Sequence, residues 1–451
     1  MKPYGKIAPR DSGQCGLNPR AGDKPLAGLV SGKKGKPVGS SRKNKRILIY
    51  SHDSFGLGHL RRCREIAHSL VEANRNLSVL ILSGSPIIGS FDFRARVDFV
   101  RIPGVIKLRN GEYTSLKLHL DIEHTLALRA SIIEHTAKIY DPDLFLVDKE
   151  PLGLRGEVEA TLDYLKDHGV PCVLGLRDVM DDPGRLAPEW ERKGAVPAIE
   201  SYYDEIWIYG LPQICDPLEG LVLPGRVRRM MTYTGYLERH LPQTVSQLRL
   251  EKIRDPYLLI TVGGGGDGEQ IIDWVLRAYE SDPELPYPAL LVLGPFMGTD
   301  LQSDFMQRAG RLDRVEAITF DTHIESLMDR ASGVVCMGGY NTFCEVLSFD
   351  KPAILVPRTE PRMEQFLRAR RAQELGLVRM LEDDGVRDAR AMATALRTLP
   401  QQSRPSERVV PGLLDGTQNV VKLTRQWLHR RQRRFGVGRR PAEAAARARA
   451  T

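Results

Sequence analysis

The chain has 451 residues, enough for two domains that each bury a core, and 65 Lys/Arg against 57 Asp/Glu give it a net charge of +8. The excess is confined to the ends: residues 1–46 carry +10 and residues 428–451 carry +7, so residues 47–427 carry −9. An acidic middle argues against a fold built to grip nucleic acid, and no apolar run approaches the length of a membrane span.

Residues 1–45 are rich in Gly, Pro, Ser and Lys and lack apolar periodicity, so they are expected to be a disordered basic tail. Their longest apolar stretch, 26–30, is too short for a secretory signal. The six cysteines, Cys15, Cys63, Cys172, Cys215, Cys336 and Cys344, form no CxxC pair and no metal-ligand spacing, which suits free thiols in a reducing cytoplasm. A buried strand is expected at 47–50. After it, Gly56 and Gly58 make a flexible turn, and Leu60, Cys63, Ile66, Ala67 and Leu70 take helical spacing. Further strands are expected at 78–82, 99–102, 144–147, 172–174 and 206–209, with helices at 116–139 and 155–168. Strands alternating with helices predict a parallel, doubly wound sheet. The stretch 231–239 reads as a short strand and a linker. A second alternating series follows at 257–262, 289–293, 315–319, 333–337 and 353–356, then a late helix at 419–428. The fold class is α/β.

Three stretches of the second series suit a nucleotide. Residues 263–268, GGGGDG, follow a strand and fit GxGxxG literally. A dinucleotide site would want an acid at the end of the next strand, where Gly294-Pro295 stands instead, which disfavours that reading; Gly263 and Gly264 also read as a turn for close strand-helix packing. The strand 333–337 stops at Gly338-Gly339. A helix follows, with Asn341 or Thr342 as its cap and Thr342 and Glu345 at capping-box spacing. A glycine turn at a helix N-terminus suits a phosphate. Glu345 either accepts from the two hydroxyls of a cis-diol or closes the capping box. Glu364-Gln365, at the start of a helix expected over 364–375, either bonds sugar hydroxyls or is a solvated first-turn pair.

The order Gly-Gly turn, Glu345, Lys351-Pro352 strand, Pro357-Arg358 loop, Glu364-Gln365 and Arg368-Ala369 resembles the nucleotide-sugar signature of GT-B glycosyltransferases, and most closely glycosyltransferase family 28, which includes the N-acetylglucosaminyltransferase of peptidoglycan synthesis. The resemblance implies two Rossmann-like domains facing across a cleft: an acceptor domain at 46–236, a nucleotide-sugar domain at 237–416, a helix at 417–430 returning to the first domain, and a second disordered basic tail at 431–451. Glu345 would then bind the ribose of a UDP-sugar and Glu364-Gln365 the sugar, with Gly264, Gly265, Gly338, Gly339, Asn341 and Thr342 around the donor. Family 28 enzymes use UDP-sugar as substrate without cofactor or bound metal, so none is expected.

The first loop, FGLGHL, resembles the family's glycine-rich loop ending in His. An imidazole suits a general base, which makes His59 the first candidate, with Asp53, His52 and Asp148 in reserve; outside the family likeness His59 reads as a cap or a hydrogen-bonded residue. Gly56, Gly58, Arg177 and Asp178 would lie on the acceptor side, although Arg177-Asp178 also reads as a strand-end ion pair. Arg61 and Arg62 either meet a phosphate or cover the helix surface. The expected activity is inverting, metal-independent transfer of a sugar such as N-acetylglucosamine from a UDP donor to an unidentified hydroxyl acceptor, a lipid-linked one being compatible. A UDP-sugar 2-epimerase of the same fold is one alternative; a non-enzymatic binder of anionic surfaces or nucleic acid through the tails is another. The tails suit peripheral contact with anionic membrane at the inner face, and no specific nucleic acid is expected.

Overall fold

The computed structural model describes residues 44–437 apart from 54–56, 109–111, 243–247, 249 and 265; Gly56, Gly265 and most of both tails lie outside the described residues. The strands are β1 (Lys45–Ser51), β2 (Leu77–Ser83), β3 (Val97–Arg101), β4 (Val105–Lys107), β5 (Tyr113–Ser115), β6 (Leu144–Asp148), β7 (Cys172–Arg177), β8 (Glu205–Tyr209) and β9 (Met231–Tyr233) in the first half. The second half holds β10 (Leu258–Thr261), β11 (Ala289–Val292), β12 (Val315–Ile318), β13 (Gly333–Cys336), β14 (Ala353–Leu355) and β15 (Arg379–Met380).

Continuous apolar runs such as LFLVD in β6 and GVVC in β13 are buried throughout, as strands covered by helices on both faces must be. They build two parallel sheets, ordered β3-β2-β1-β6-β7-β8-β9 and β12-β11-β10-β13-β14-β15. Both are doubly wound, and both reverse direction beside their first strand, between β1 and β6 and between β10 and β13. Ligands gather at such a switch point, beyond the carboxyl ends of the strands. The loops placed there are those carrying His52, Lys149, Gly263-Gly264 and Gly338-Gly339.

Where the sequence predicts a helix over 116–139, the chain first forms the β4–β5 hairpin and starts the helix at Ile122, because Asp121 caps it by accepting from the His124 amide. The last helix, Gly416–Val437, runs past the expected end at 430. It lies along the helix Gly58–Ala73 of the first domain, where Arg425 Nη2 donates to the Ala73 carbonyl at 2.6 Å and Arg431 Nη1 to that of Pro142 at 2.7 Å.

The outgoing linker and the returning chain cross. Tyr236 N–H donates to Leu413 O at 2.8 Å, and Gly416 N–H to Tyr236 O at 3.1 Å. Gly235 sits there at φ +90°, and a Cβ on it would lie 2.4 Å from Gly412 O. Tyr236 then packs edge-on against Phe343, with centroids 5.1 Å apart, so one apolar core runs through the linker from sheet to sheet. Gly235→Ala combines left-handed backbone with a backbone clash, and a loss of about 1–3 kcal/mol in urea unfolding is expected. A variant as stable as the parent would show that the crossing is loosely held.

Candidate functional site

Both sets of strand-end loops open into one cleft of about 1360 Å³. Sites for a single small ligand usually measure about 300–1,000 Å³, so there is room here for two substrates. From the first domain come His52, Gly58, His59, Arg61, Arg62, Lys149, Glu150 and Arg177. The second domain contributes Gly263, Gly264, Gly339, Asn341, Thr342, Arg358, Glu364 and Gln365.

His59 is the second residue of the helix Gly58–Ala73. Its Nδ1 lies 2.5 Å from Asp148 Oδ2, at the end of β6. Arg62, one turn along the same helix, gives Nε and Nη2 to the two oxygens of Asp148 at 2.8 and 2.7 Å. Burial works against the Asp148 carboxylate, but Arg62 and His59 together hold it well below the usual carboxylate range. An ionised carboxylate can only accept, so Nδ1 carries the proton and Nε2 is left as a lone-pair base. Burial lowers His59 below the ordinary imidazole value, with Asp148 opposing and Arg62 adding, which keeps it neutral at pH 7.

The reserves fare differently. Asp53 is buried behind the wall, accepting from the Leu60 amide at 3.1 Å and from Ser83 Oγ at 2.6 Å, so it anchors the helix start and does not line the cleft. Asp148 also lies behind the wall and orients His59. His52 does line the cleft; its Nδ1 is 3.3 Å from Tyr50 OH, and burial drives it far down.

On the second-domain wall, Gly338 has φ +76° and a Cβ there would meet Leu355 at 3.1 Å. Gly339 is the N-cap of the helix Tyr340–Ser348, in place of the expected Asn341 or Thr342. The capping box does not form. Glu345 instead reaches the first domain, where Arg61 Nη2 donates to it and, at 2.8 Å, to Glu325. Burial pushes the Glu345 carboxyl up to about 7, with Arg61 pulling against it and Glu325 adding. Asn341 is also engaged across the cleft, accepting from Arg239 Nη2 at 2.8 Å and donating to the Gly58 carbonyl at 2.9 Å. Glu364 pairs with Arg177; burial works against its carboxylate, while Arg177 and Arg368 hold it down at about 2. Gln365 Oε1 accepts from the Arg358 amide at 3.2 Å. Gly264 packs on Phe296, whose amide donates to its carbonyl at 2.9 Å. Arg177 and Asp178 do not pair with each other, since Asp178 takes Arg368. Arg61, half-buried on the cleft wall, and Arg62, fully buried, are both held in ion pairs.

Sequence reasoning missed the cross-cleft role of Arg61, the arginines Arg239 and Arg362, and Phe296 and Phe320 at the cleft's apolar end. Their only signal was position just after a strand or in the first helical turn.

Residues 258–408 match the family described as Glycosyltransferase family 28 C-terminal domain. The chain is a glycosyltransferase that is similar to family 28 over residues 258–408. An uncharacterised glycosyltransferase of Methanosarcina acetivorans is 26% identical over 346 residues, 72% of this chain and 83% of its own length. A UDP-N-acetylglucosamine--N-acetylmuramyl-(pentapeptide) pyrophosphoryl-undecaprenol N-acetylglucosamine transferase of Opitutus terrae is 28% identical over 134 residues, 30% of this chain and 36% of its own. Among solved structures, the kitacinnamycin glycotransferase superposes with TM-score 0.56 at 15% identity, covering 86% of this chain and all of that one. MurG of Acinetobacter baumannii gives 0.51 at 12%, covering 85% and 99%. The fold is GT-B, an enzyme architecture for sugar transfer.

The His59–Asp148 geometry has a pH signature. His59 protonates only as pH falls through a value below about 6.5, its ordinary pKa, so the acid limb of turnover should lie below that pH. Asp148→Asn removes the charge that raises His59. The limb should move to lower pH and the rate should fall ~10²- to 10⁴-fold. A pH–rate profile checks both, beside a melt, because the change also leaves Arg62 without its partner. An unmoved limb would remove Asp148 from the mechanism.

Proposed function

We propose that this glycosyltransferase is inverting and metal-independent, moving a sugar from a UDP donor to an acceptor hydroxyl. The observation that carries the reading is the His59–Asp148 pair on one wall of a cleft whose other wall presents the Gly338-Gly339 turn and Glu364-Gln365. His59 Nε2 takes the acceptor hydroxyl proton as that oxygen attacks the anomeric carbon. The bond from this carbon to the phosphate oxygen breaks, and UDP leaves with the electron pair. Backbone N–H groups at the start of the helix Tyr340–Ser348 meet the charge that develops on the diphosphate, so no bound metal or cofactor is required.

UDP, and N-acetylglucosamine as the sugar, are supported by the name of the Opitutus terrae relative; the acceptor named there is an undecaprenol pyrophosphate derivative. Glu345 takes the ribose hydroxyls in exchange for Arg61, and Glu364 and Gln365 take the sugar. Among the described residues no helix is long and apolar enough to cross a membrane. We place the protein in the cytoplasm, where the described cysteines keep free thiols, with the basic tails suited to the anionic inner face.

His59→Ala should cut turnover ~10²- to 10⁴-fold and barely change UDP affinity, because the donor is held by the other domain. Glu345→Gln should do the reverse, weakening UDP by ~1–3 kcal/mol in isothermal titration. Near-full turnover in His59→Ala would assign the base elsewhere, and unchanged UDP affinity in Glu345→Gln would remove it from the donor site. Release of an epimerised sugar without acceptor would replace transfer by epimerisation.

A further inference from the structure

The first-domain wall carries a second imidazole that the transfer step does not use. His52, the residue after β1, lines the cleft at 7% exposure and meets His59 edge-on, with ring centroids 5.5 Å apart. Behind it runs a buried chain of polar groups. Arg129, on the helix Ile122–Tyr140, donates from Nε and Nη2 to the two oxygens of Glu157, each at 2.6 Å, and from Nη1 to the Pro103 carbonyl at 2.5 Å. Both side chains of that pair are buried. The hydroxyl of Tyr50, in β1, lies 2.5 Å from Glu157 Oε1, 3.2 Å from the Leu154 amide nitrogen and 3.3 Å from His52 Nδ1.

The hydrogens of this chain can be assigned. A carboxylate that receives a guanidinium fork only accepts, so the Tyr50 hydroxyl spends its single proton on Glu157. Burial, with Glu157 adding, raises the phenol well above its ordinary value, and the proton stays there. The phenol oxygen is left as an acceptor for the Leu154 N–H and for His52, so Nδ1 is the His52 nitrogen that carries hydrogen. Nε2 keeps its lone pair for the cleft, and no bond from a described residue reaches it. His52 and His59 differ in what stands behind them. Asp148 balances an imidazolium at His59, whereas His52 is backed by a neutral phenol. Burial drives it well below the ordinary imidazole value, with Glu150 opposing and His59 and Lys149 adding. Such a ring accepts a hydrogen bond without taking up the proton, and a buried acceptor left unpaired is costly.

Resting on the reading in which His59 takes the proton of the attacking hydroxyl, we propose that His52 is a specificity-determining residue, whose Nε2 accepts from a second O–H or N–H that the acceptor carries beside that hydroxyl. Tyr50, Glu157 and Arg129 are positioning residues that hold His52 in the tautomer this requires.

The first arm of the test needs no substrate. In the full chain with isotope-labelled histidine, proton–nitrogen NMR correlations should show His52 with hydrogen on Nδ1 and none on Nε2, its signals being those lost in His52→Phe. In Tyr50→Phe, checked by a melt to be folded, Nδ1 loses the oxygen it donates to, and hydrogen should appear on Nε2. The second arm compares cyclohexanol with trans-1,2-cyclohexanediol as acceptors for UDP-N-acetylglucosamine, since the two differ by one hydroxyl. The parent should favour the diol at least ~10-fold in kcat/KM, mainly through KM, the scale of one hydrogen bond to a buried group. His52→Phe and Tyr50→Phe should bring that preference down to what the number of hydroxyls alone gives. Hydrogen on Nε2 in the parent, a tautomer unmoved in Tyr50→Phe, a parent that does not distinguish the two alcohols, or a preference that survives in His52→Phe would overturn the proposal. Transfer to neither alcohol would count against the donor reading alone, since the tautomer still decides His52.

Discussion

The guanidinium of Arg368 reaches from the second domain into the first. Its Nε and Nη2 donate to Asp178 at 2.7 and 2.6 Å, its Nη1 holds the Gly338 carbonyl at 2.8 Å, and Tyr236 OH in the linker donates to the same Asp178 at 2.7 Å. Both charged side chains are 0% exposed. Removing two charges from water costs several kcal/mol per ion, and attraction offsets it only when every remaining donor and acceptor is satisfied. Here one carboxylate accepts three bonds. In return, the end of β7, the glycine turn after β13 and the linker are held in one arrangement, and the cleft geometry depends on all three.

The rest of the domain contact follows the same pattern with less burial. Arg177 meets Glu364, Arg362 meets Asp181 and Glu189, Arg239 meets Glu65, Asn341 meets the Gly58 carbonyl, and Arg185 meets Glu360 at the exposed rim. Apart from Tyr236 with its ring partners and the cluster in which Phe91 meets Phe320 edge-on, the walls are joined by ions and amides. Such contacts can be exchanged for water or for a substrate's phosphates and hydroxyls, whereas an apolar seam of the same area would resist opening. A polar interface between domains is therefore consistent with a cleft that must admit and release large substrates.

Much of this was legible in the sequence because parallel strands buried on both faces leave continuous apolar runs, and glycine turns at their ends are hard to mistake. Gly339 and Glu364-Gln365 fall on the cleft for that reason. The capping box at Thr342 and Glu345 was a local pattern overridden by a distant partner: a buried carboxylate gains more from Arg61 than from an amide one turn away. The helix over 116–139 was misjudged at its start for a related reason, since the hairpin that displaces it is a pairing between segments rather than a periodicity within one. Lys149, which lines the cleft at φ +72°, could not be read at all, because a positive backbone angle outside glycine has no sequence signature.

On the proposed donor role of Glu345, the Arg61–Glu345 contact is one that donor binding would have to open. Glu345 is 1% exposed and lies just behind the cleft wall, with the Arg61 side chain in front of it and bound also to Glu325. A ribose diol that takes Glu345 must displace Arg61, and Arg61 belongs to the helix whose second residue is His59. Loss of the Glu345 contact therefore loosens the tie between the second domain and the helix that carries His59, the proposed base. A ligand can shift an arrangement only by its difference in affinity for the two states, so the diol's bonds to Glu345 must exceed what Arg61 gives up there. Part of that loss is recovered because Arg61 keeps Glu325, its second carboxylate. The two glutamates thus give Arg61 a tie to the second domain that outlasts the loss of one of them.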